Sequence, residues 1–293
     1  MIYVIYGFLI FTFLFVIIHV IMFIIFKKDY VPVLMYHRIT DDKKQTDVRY
    51  IKHKGSILDL DSMKVSPSNF YDQMKYLYDN NYKVSSLDKD VFHKSGKNIY
   101  VTFDDGYKDN FTHAYPILKQ FNQVGIFYIT AKLIDDDTFM PIDLNDKRYA
   151  NRLMTWDEIK VMANDNMQIG SHTLNHPWLT DSNVNLEEEI VLSKELIMDK
   201  SGILVDTFAY PGGLYNEDVI NITRNNYKTA VITSRGIDFP NENKDVYLIE
   251  RETISNSDNM FMFYLKVWGV HKFIRKLKWL NYLRGKIKCL LKR

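Results

Sequence analysis

Ile99-Tyr100-Val101-Thr102-Phe103-Asp104-Asp105-Gly106 is an apolar run that stops at two adjacent carboxylates and a glycine. Its β-branched and aromatic residues read as a buried strand, and Gly106 supplies permissive backbone for a turn. Adjacent carboxylates at a strand end point in different directions. One can hold a metal while the other accepts a proton from water. Taken alone, the same residues also fit a turn with an Asp helix cap.

The pattern on either side repeats this arrangement. Residues 31–37 read as a short buried strand, and the polar stretch 40–64 as loop. Ser66-Pro67 opens a helix, with Ser66 as N-cap and Phe70, Met74, Leu77 and Tyr78 at helical spacing. Downstream come a helix carrying Tyr115, Leu118 and Phe121, a strand at 125–130, and a helix opened by the capping box Thr155-Trp156-Asp157-Glu158. A strand at 167–171 and a helix at 186–200 follow. A strand at 206–210 ends at Pro211-Gly212-Gly213, then a helix at 217–226 and strands at 229–233 and 246–249. Strands alternating with helices predict a parallel α/β fold, with the polar candidates at the C-terminal strand ends.

Ser171-His172-Thr173-Leu174-Asn175-His176-Pro177 is the second chemical feature. Histidines at i and i+4 can converge on one metal if the segment makes a helical turn. Two unrelated histidines are the plain alternative. With one Asp they complete an Asp-His-His set of the kind that binds Zn²⁺ or a similar ion. The single cysteine, Cys289, excludes an internal disulfide and a Cys-rich zinc site.

Thr102-Phe103-Asp104-Asp105-Gly106 followed by Ser171-His172-Thr173-x-x-His176 resembles the first two motifs of the polysaccharide deacetylases, carbohydrate esterase family 4. Phe208-Ala209-Tyr210-Pro211-Gly212-Gly213 is similar to the third motif. Met35-Tyr36-His37-Arg38-Ile39 resembles the first strand of the exopolysaccharide branch, which includes the poly-β-1,6-N-acetylglucosamine deacetylases. The resemblance spans residues 31–255. It implies a distorted (β/α)7-type barrel that removes N-acetyl groups from β-linked hexosamine polymers. Asp104 would be the base. Asp105, His172 and His176 would hold a divalent metal, Zn²⁺ first and Co²⁺ or Ni²⁺ next. Tyr210, Pro211 and Trp178 would meet the sugar, with a backbone N–H at Tyr210 or a neighbour on the oxyanion and Trp178 as a stacking surface. Trp156 and Tyr107 are further aromatic candidates, although aromatics at such positions are more often core.

The chain departs from that family twice. It lacks the late Leu-x-His, having Leu248-Ile249-Glu250-Arg251 in the matching region, and it lacks the third-motif Arg. His37 is therefore the candidate acid or substrate ligand, and Arg251 the candidate partner of Asp104. A core histidine and a surface salt bridge are the respective alternatives. Catalytic impairment, leaving a glycan-binding pseudoenzyme, and a peptidoglycan substrate are the rival functions.

Residues 1–26 contain no Asp, Glu, Lys or Arg. That exceeds the roughly 20 residues needed to span a bilayer, and no cleavage site for a signal peptide follows. A transmembrane anchor at 1–28 is expected, with a buried core helix as the alternative. The catalytic domain is placed at 29–260. Residues 261–293 hold ten Lys/Arg and no acid, so the rest of the chain is acidic. Phe273, Leu277, Leu280, Ile287 and Leu291 make this tail an amphipathic helix for a lipid surface. Nucleic acid is the competing partner, disfavoured by the apolar N-terminus. Lys27 and Lys28 bias the body towards the cytoplasm, whereas the substrate class favours an extracellular body on a single-pass anchor.

Overall fold

The computed structural model describes residues 2–28, 30–42, 50–53, 56–94, 97–143, 151–233 and 244–276. In chain order the strands are β1 (Val33–Tyr36), β2 (Arg38–Ile39), β3 (Tyr50–His53), β4 (Ser56–Asp59), β5 (Lys64–Val65) and β6 (Lys83–Val84). They continue with β7 (Asn98–Phe103), β8 (Gly125–Ile129), β9 (Gln168–Ser171), β10 (Thr207–Ala209), β11 (Thr229–Thr233) and β12 (Ile249–Thr253). Strands β7 to β12 lie side by side in sequence order, all parallel. β1 pairs with both β12 and β7, which closes a seven-stranded parallel barrel. β6 adds to the start of β7, and β2 pairs with β5.

The helices are α1 (Ile2–Lys28), α2 (Pro67–Asp79), α3 (Tyr115–Gln120), α4 (Ala131–Asp135), α5 (Trp156–Asn164), α6 (Ser193–Ser201), α7 (Glu217–Asn226), α8 (Met260–Val267) and α9 (Val270–Lys276). Parallel neighbours need a crossover, and helices supply most of them. Two helices start where local chemistry says they should. Ser66 Oγ accepts from Asn69 N at 3.1 Å, and Thr155 and Glu158 form a reciprocal capping box.

Side chains alternate along each strand. Val33, Tyr100, Ile126, Tyr128, Ala209, Val231 and Ile249 form one buried cluster inside the barrel, with Leu87 and Val91 added to it. Their neighbours Leu34, Val101, Phe103, Phe127, Ile129, Phe208 and Ile232 face outward against the helices. On β7 this register turns Tyr100, Thr102 and Asp104 inward.

The structure differs from the sequence reading at three places. Residues expected as loop contain an antiparallel hairpin, β3 with β4. The last barrel strand is Ile249–Thr253, not 246–249, because its buried residues are charged: Glu250, Arg251 and Glu252 are all under 5 % exposed. The chain does not leave the domain at 261. Phe263, Val267 and Phe273 are buried, and Lys266 and Lys272 are ion-paired with Asp258 and Glu250 beneath them. The tail expected from 277 onward lies outside the described residues.

The N-terminus forms a single long helix. α1 is one helix of 27 residues, and Phe23 meets Phe273 of α9 edge-on at 5.4 Å. Among the described residues no helix is long and apolar enough to cross a membrane. Tyr30, just past α1, donates from its hydroxyl to Lys266 O at 2.5 Å.

Candidate acid-base and metal site

β7 delivers Asp104 to the barrel mouth, where Asp104 N donates to Tyr36 O at 3.0 Å. Arg251 reaches it from β12. Nη1 and Nη2 donate to Oδ1 and Oδ2 at 2.6 and 2.7 Å, a bidentate fork between two fully buried side chains. Nη1 also donates to Thr102 Oγ1 at 3.1 Å, and Nε to Ile232 O at 3.3 Å. Burial alone would push the Asp104 carboxyl up. The charge and hydrogen bonds of Arg251, helped by His172 and His37, hold it well below the usual carboxylate range. Asp104 is thus ionised in neutral solution and can act as an acceptor.

Asp105 points elsewhere because its backbone is left-handed, with φ 75°, and Gly106 follows at φ 84°. Asp tolerates that region better than most residues. His172 Nε2 and His176 Nε2 each lie 3.5 Å from Asp105 Oδ1. All three ligand atoms fall within 4.8 Å of one another. His172 Nδ1 sits 2.7 Å from Ala209 O. A carbonyl can only accept, so Nδ1 carries the proton and Nε2 keeps its lone pair for the cluster. Burial lowers both imidazoles, His176 to about 4, so both are neutral in neutral solution. Burial also raises Asp105. A buried carboxylate facing two neutral imidazole nitrogens is a donor set that fits a divalent cation.

The histidines do not converge through a helical turn. The loop between them is irregular, with Thr173 at φ 71° and His176 at φ 61°. Glu189 holds it: Oε2 accepts from Leu174 N at 3.0 Å and Asn175 N at 2.9 Å, and Oε1 from Asn175 Nδ2 at 2.8 Å. The sequence reading missed Glu189. An acid three residues after Leu186 and just before Ile190, on the apolar side of a helix, was its signal.

Residues 93–231 match the polysaccharide deacetylase family. YxkH of Bacillus subtilis, named as a polysaccharide deacetylase, is 28% identical over 237 residues, covering 78% of this chain and 73% of its own. The poly-β-1,6-N-acetyl-D-glucosamine N-deacetylase of Staphylococcus aureus MRSA252 is 25% identical over 273 residues, covering 84% and 86%. The crystal structure of the Bacillus anthracis polysaccharide deacetylase BA0330 superposes with a TM-score of 0.65 at 29% identity, over 81% of this chain and 68% of that one. The chain carries a polysaccharide deacetylase domain.

The remaining candidates of this deacetylase divide in two. His37, half-buried at the end of β1, feels Asp105, Asp104, Arg251 and His172. Its Nδ1 is buried and makes no hydrogen bond within the described protein. Burial lowers its pKa against the pull of the two carboxylates. Trp178 is half-buried just past His176. The Tyr210 side chain is not part of the surface. Its ring is fully buried, edge-on to Phe208 at 5.2 Å, and its N–H donates to Val231 O at 3.2 Å. The alternation along β10 continues into Tyr210 and turns its ring into the core, away from the sugar contact expected of it. Tyr107 is likewise core, donating to Asp143 Oδ2 at 2.6 Å under the Arg38 guanidinium.

Pro211 is buried and opens a tight turn through Gly212 (φ 59°) and Gly213 (φ 67°). A Cβ on Gly213 would stand 2.1 Å from Thr233 Oγ1 and 2.8 Å from its backbone N. The third motif therefore seats the β10 turn against β11. Gly213→Ala should destabilise the deacetylase by about 2–4 kcal/mol through left-handed strain and overlap, read from urea midpoints. An unchanged midpoint would remove this role.

Proposed function

We propose that this deacetylase hydrolyses N-acetyl groups on a β-linked N-acetylglucosamine exopolysaccharide at the cell surface. The carrying observation is the Asp104–Arg251 pair beside the Asp105–His172–His176 cluster. Similarity to the S. aureus enzyme over most of both chains supports the polymer class.

Asp105, His172 and His176 would hold the cation, Zn²⁺ by donor type. When bound there it supplies Lewis acidity, polarising the acetamide carbonyl and making water more acidic. Asp104 accepts the proton as water adds to the carbonyl carbon, and Arg251 keeps its carboxylate ionised and oriented. Collapse breaks the C–N bond. The nitrogen takes a proton from His37 in its protonated form, which the proton gained by Asp104 replaces through solvent, and acetate and a free amine depart. Trp178 provides a partly exposed ring for the sugar.

α1 serves as a single-pass anchor and the basic tail as a lipid-surface contact, with the barrel outside the cell. The uncharged run at 1–26 and the cationic C-terminus support this reading. Protease added to intact cells should digest the barrel, and full protection would reverse the topology.

The test incubates the full chain in detergent with N-acetylglucosamine oligomers or peptidoglycan, with and without Zn²⁺ or Co²⁺. Acetate release is followed by mass. Release from the oligomers should need metal and fall by about 10²–10⁴-fold in Asp104→Asn. Release from peptidoglycan alone would move the substrate to the cell wall. Wild-type rates in Asp104→Asn would end the base assignment.

A further inference from the structure

We infer that Glu189 is a positioning residue that sets how tightly the Asp105–His172–His176 cluster holds a divalent cation. The inference rests on the ligand reading above and adds a residue outside the cluster. Glu189 is only 8 % exposed, yet it touches neither histidine ring among the contacts described. Its carboxylate instead takes both successive backbone N–H groups, Leu174 and Asn175, in the middle of the His172–His176 loop. The carbonyls of that loop are held from the opposite side. Ala131 N donates to Thr173 O and Lys132 N to Leu174 O, each at 3.0 Å, at the start of α4. The loop is thereby pinned through amides by one element and through carbonyls by another.

A second observation is independent of those bonds. Glu189 lies in a π-helical turn, Glu188–Leu192, that runs directly into α6. Such turns are rare and shift the register of side chains relative to an α-helix. Here the shift accompanies an acid buried beneath the metal loop. The loop needs the restraint, because β-branched Thr173 is left-handed and so is His176. Without Glu189 the backbone between the imidazoles loses one wall, and their nitrogens lose a fixed separation. Neighbours that orient ligands in this way are typically worth about 10–100-fold in metal affinity.

Affinity for Zn²⁺ or Co²⁺ is measured by chelator competition on the full chain in detergent, alongside the metal-free melting temperature. Glu189→Ala should bind about 10–100-fold more weakly. Glu189→Gln should stay within about threefold, because one amide oxygen can accept both N–H groups while the Asn175 amide turns over. A folded Glu189→Ala that binds metal as wild type overturns the inference. If Glu189→Ala does not fold, Glu189→Asp decides: its shorter reach should weaken binding about fivefold, and wild-type affinity overturns the role. His172→Ala separates the two readings. Unchanged affinity there overturns the ligand assignment itself, whereas lost affinity there with an unaffected Glu189→Ala rejects only the positioning role.

Discussion

Arg251→Met should lower kcat by about 10²–10³-fold and move the acid limb of the pH–rate profile upward. The reason is the sign of the forces on Asp104. Burial raises its pKa, and only Arg251 with two weaker contributors brings it down. Removing the fork leaves burial dominant, so less base is ionised near neutrality. Arg251→Lys keeps a charge but not the paired donors, and should fall between. Stability follows the same sign. The depressed carboxyl contributes stability that is present above the ordinary carboxylate range and lost as pH falls through its lower native value. In Arg251→Met the native pKa lies above the unfolded one, so ionised Asp104 costs stability at neutral pH, about 3–5 kcal/mol for a buried charge stripped of its partner. Melting temperature against pH should then rise on acidification where wild type does not. An acid limb and melting profile like wild type would refute the pairing.

Ending the chain after Asn259 should abolish cooperative folding. The cut removes Phe263, Val267 and Phe273, each buried, at about 1.5–3 kcal/mol apiece. It also strips partners from buried acids. Lys266 Nζ lies 2.5 Å from Asp258 and 2.7 Å from Thr253 O, His271 lies 2.9 Å from Glu252, and Lys272 pairs with Glu250. Breaking one side of a buried pair typically costs about 3–5 kcal/mol. Such losses together rival the roughly 5–15 kcal/mol that holds a domain. Urea unfolding of residues 30–259 against residues 30–293 tests this. A wild-type transition in the shorter form would return the boundary to 260.

What could be read from sequence follows the range of the forces. Ser66 and Thr155 cap their helices through bonds three residues long, so local pattern revealed them. Asp104, Asp105, His172 and His176 announced themselves by residue type at strand ends. β12 hid because Ile249-Glu250-Arg251-Glu252-Thr253 carries three charges where hydropathy expects apolar residues. Their partners are distant: Asp104 is 147 residues from Arg251, and Lys272 and His271 come from a helix read as a detached tail. Glu189 escaped for the same reason, since an acid on a helix reads as solvated until the loop above it is seen. Tyr210 misled in the opposite sense: its motif position suggested a ligand, and its strand register made it core.

The junction between α1 and β1 carries a mechanical consequence. Residues 29–32 alone separate Lys28 from Val33, so the link covers about 13 Å at full extension. Tyr30 clamps that link to α8, and Phe23 meets α9. The chain enters the barrel at the starting end of β1, while Asp104 and the histidines crown the other end. With α1 embedded in a bilayer, the mouth opens away from the lipid at a fixed height. On the anchoring proposed above, the barrel would work without a stalk, reaching polymer that has cleared the surface by about one barrel length.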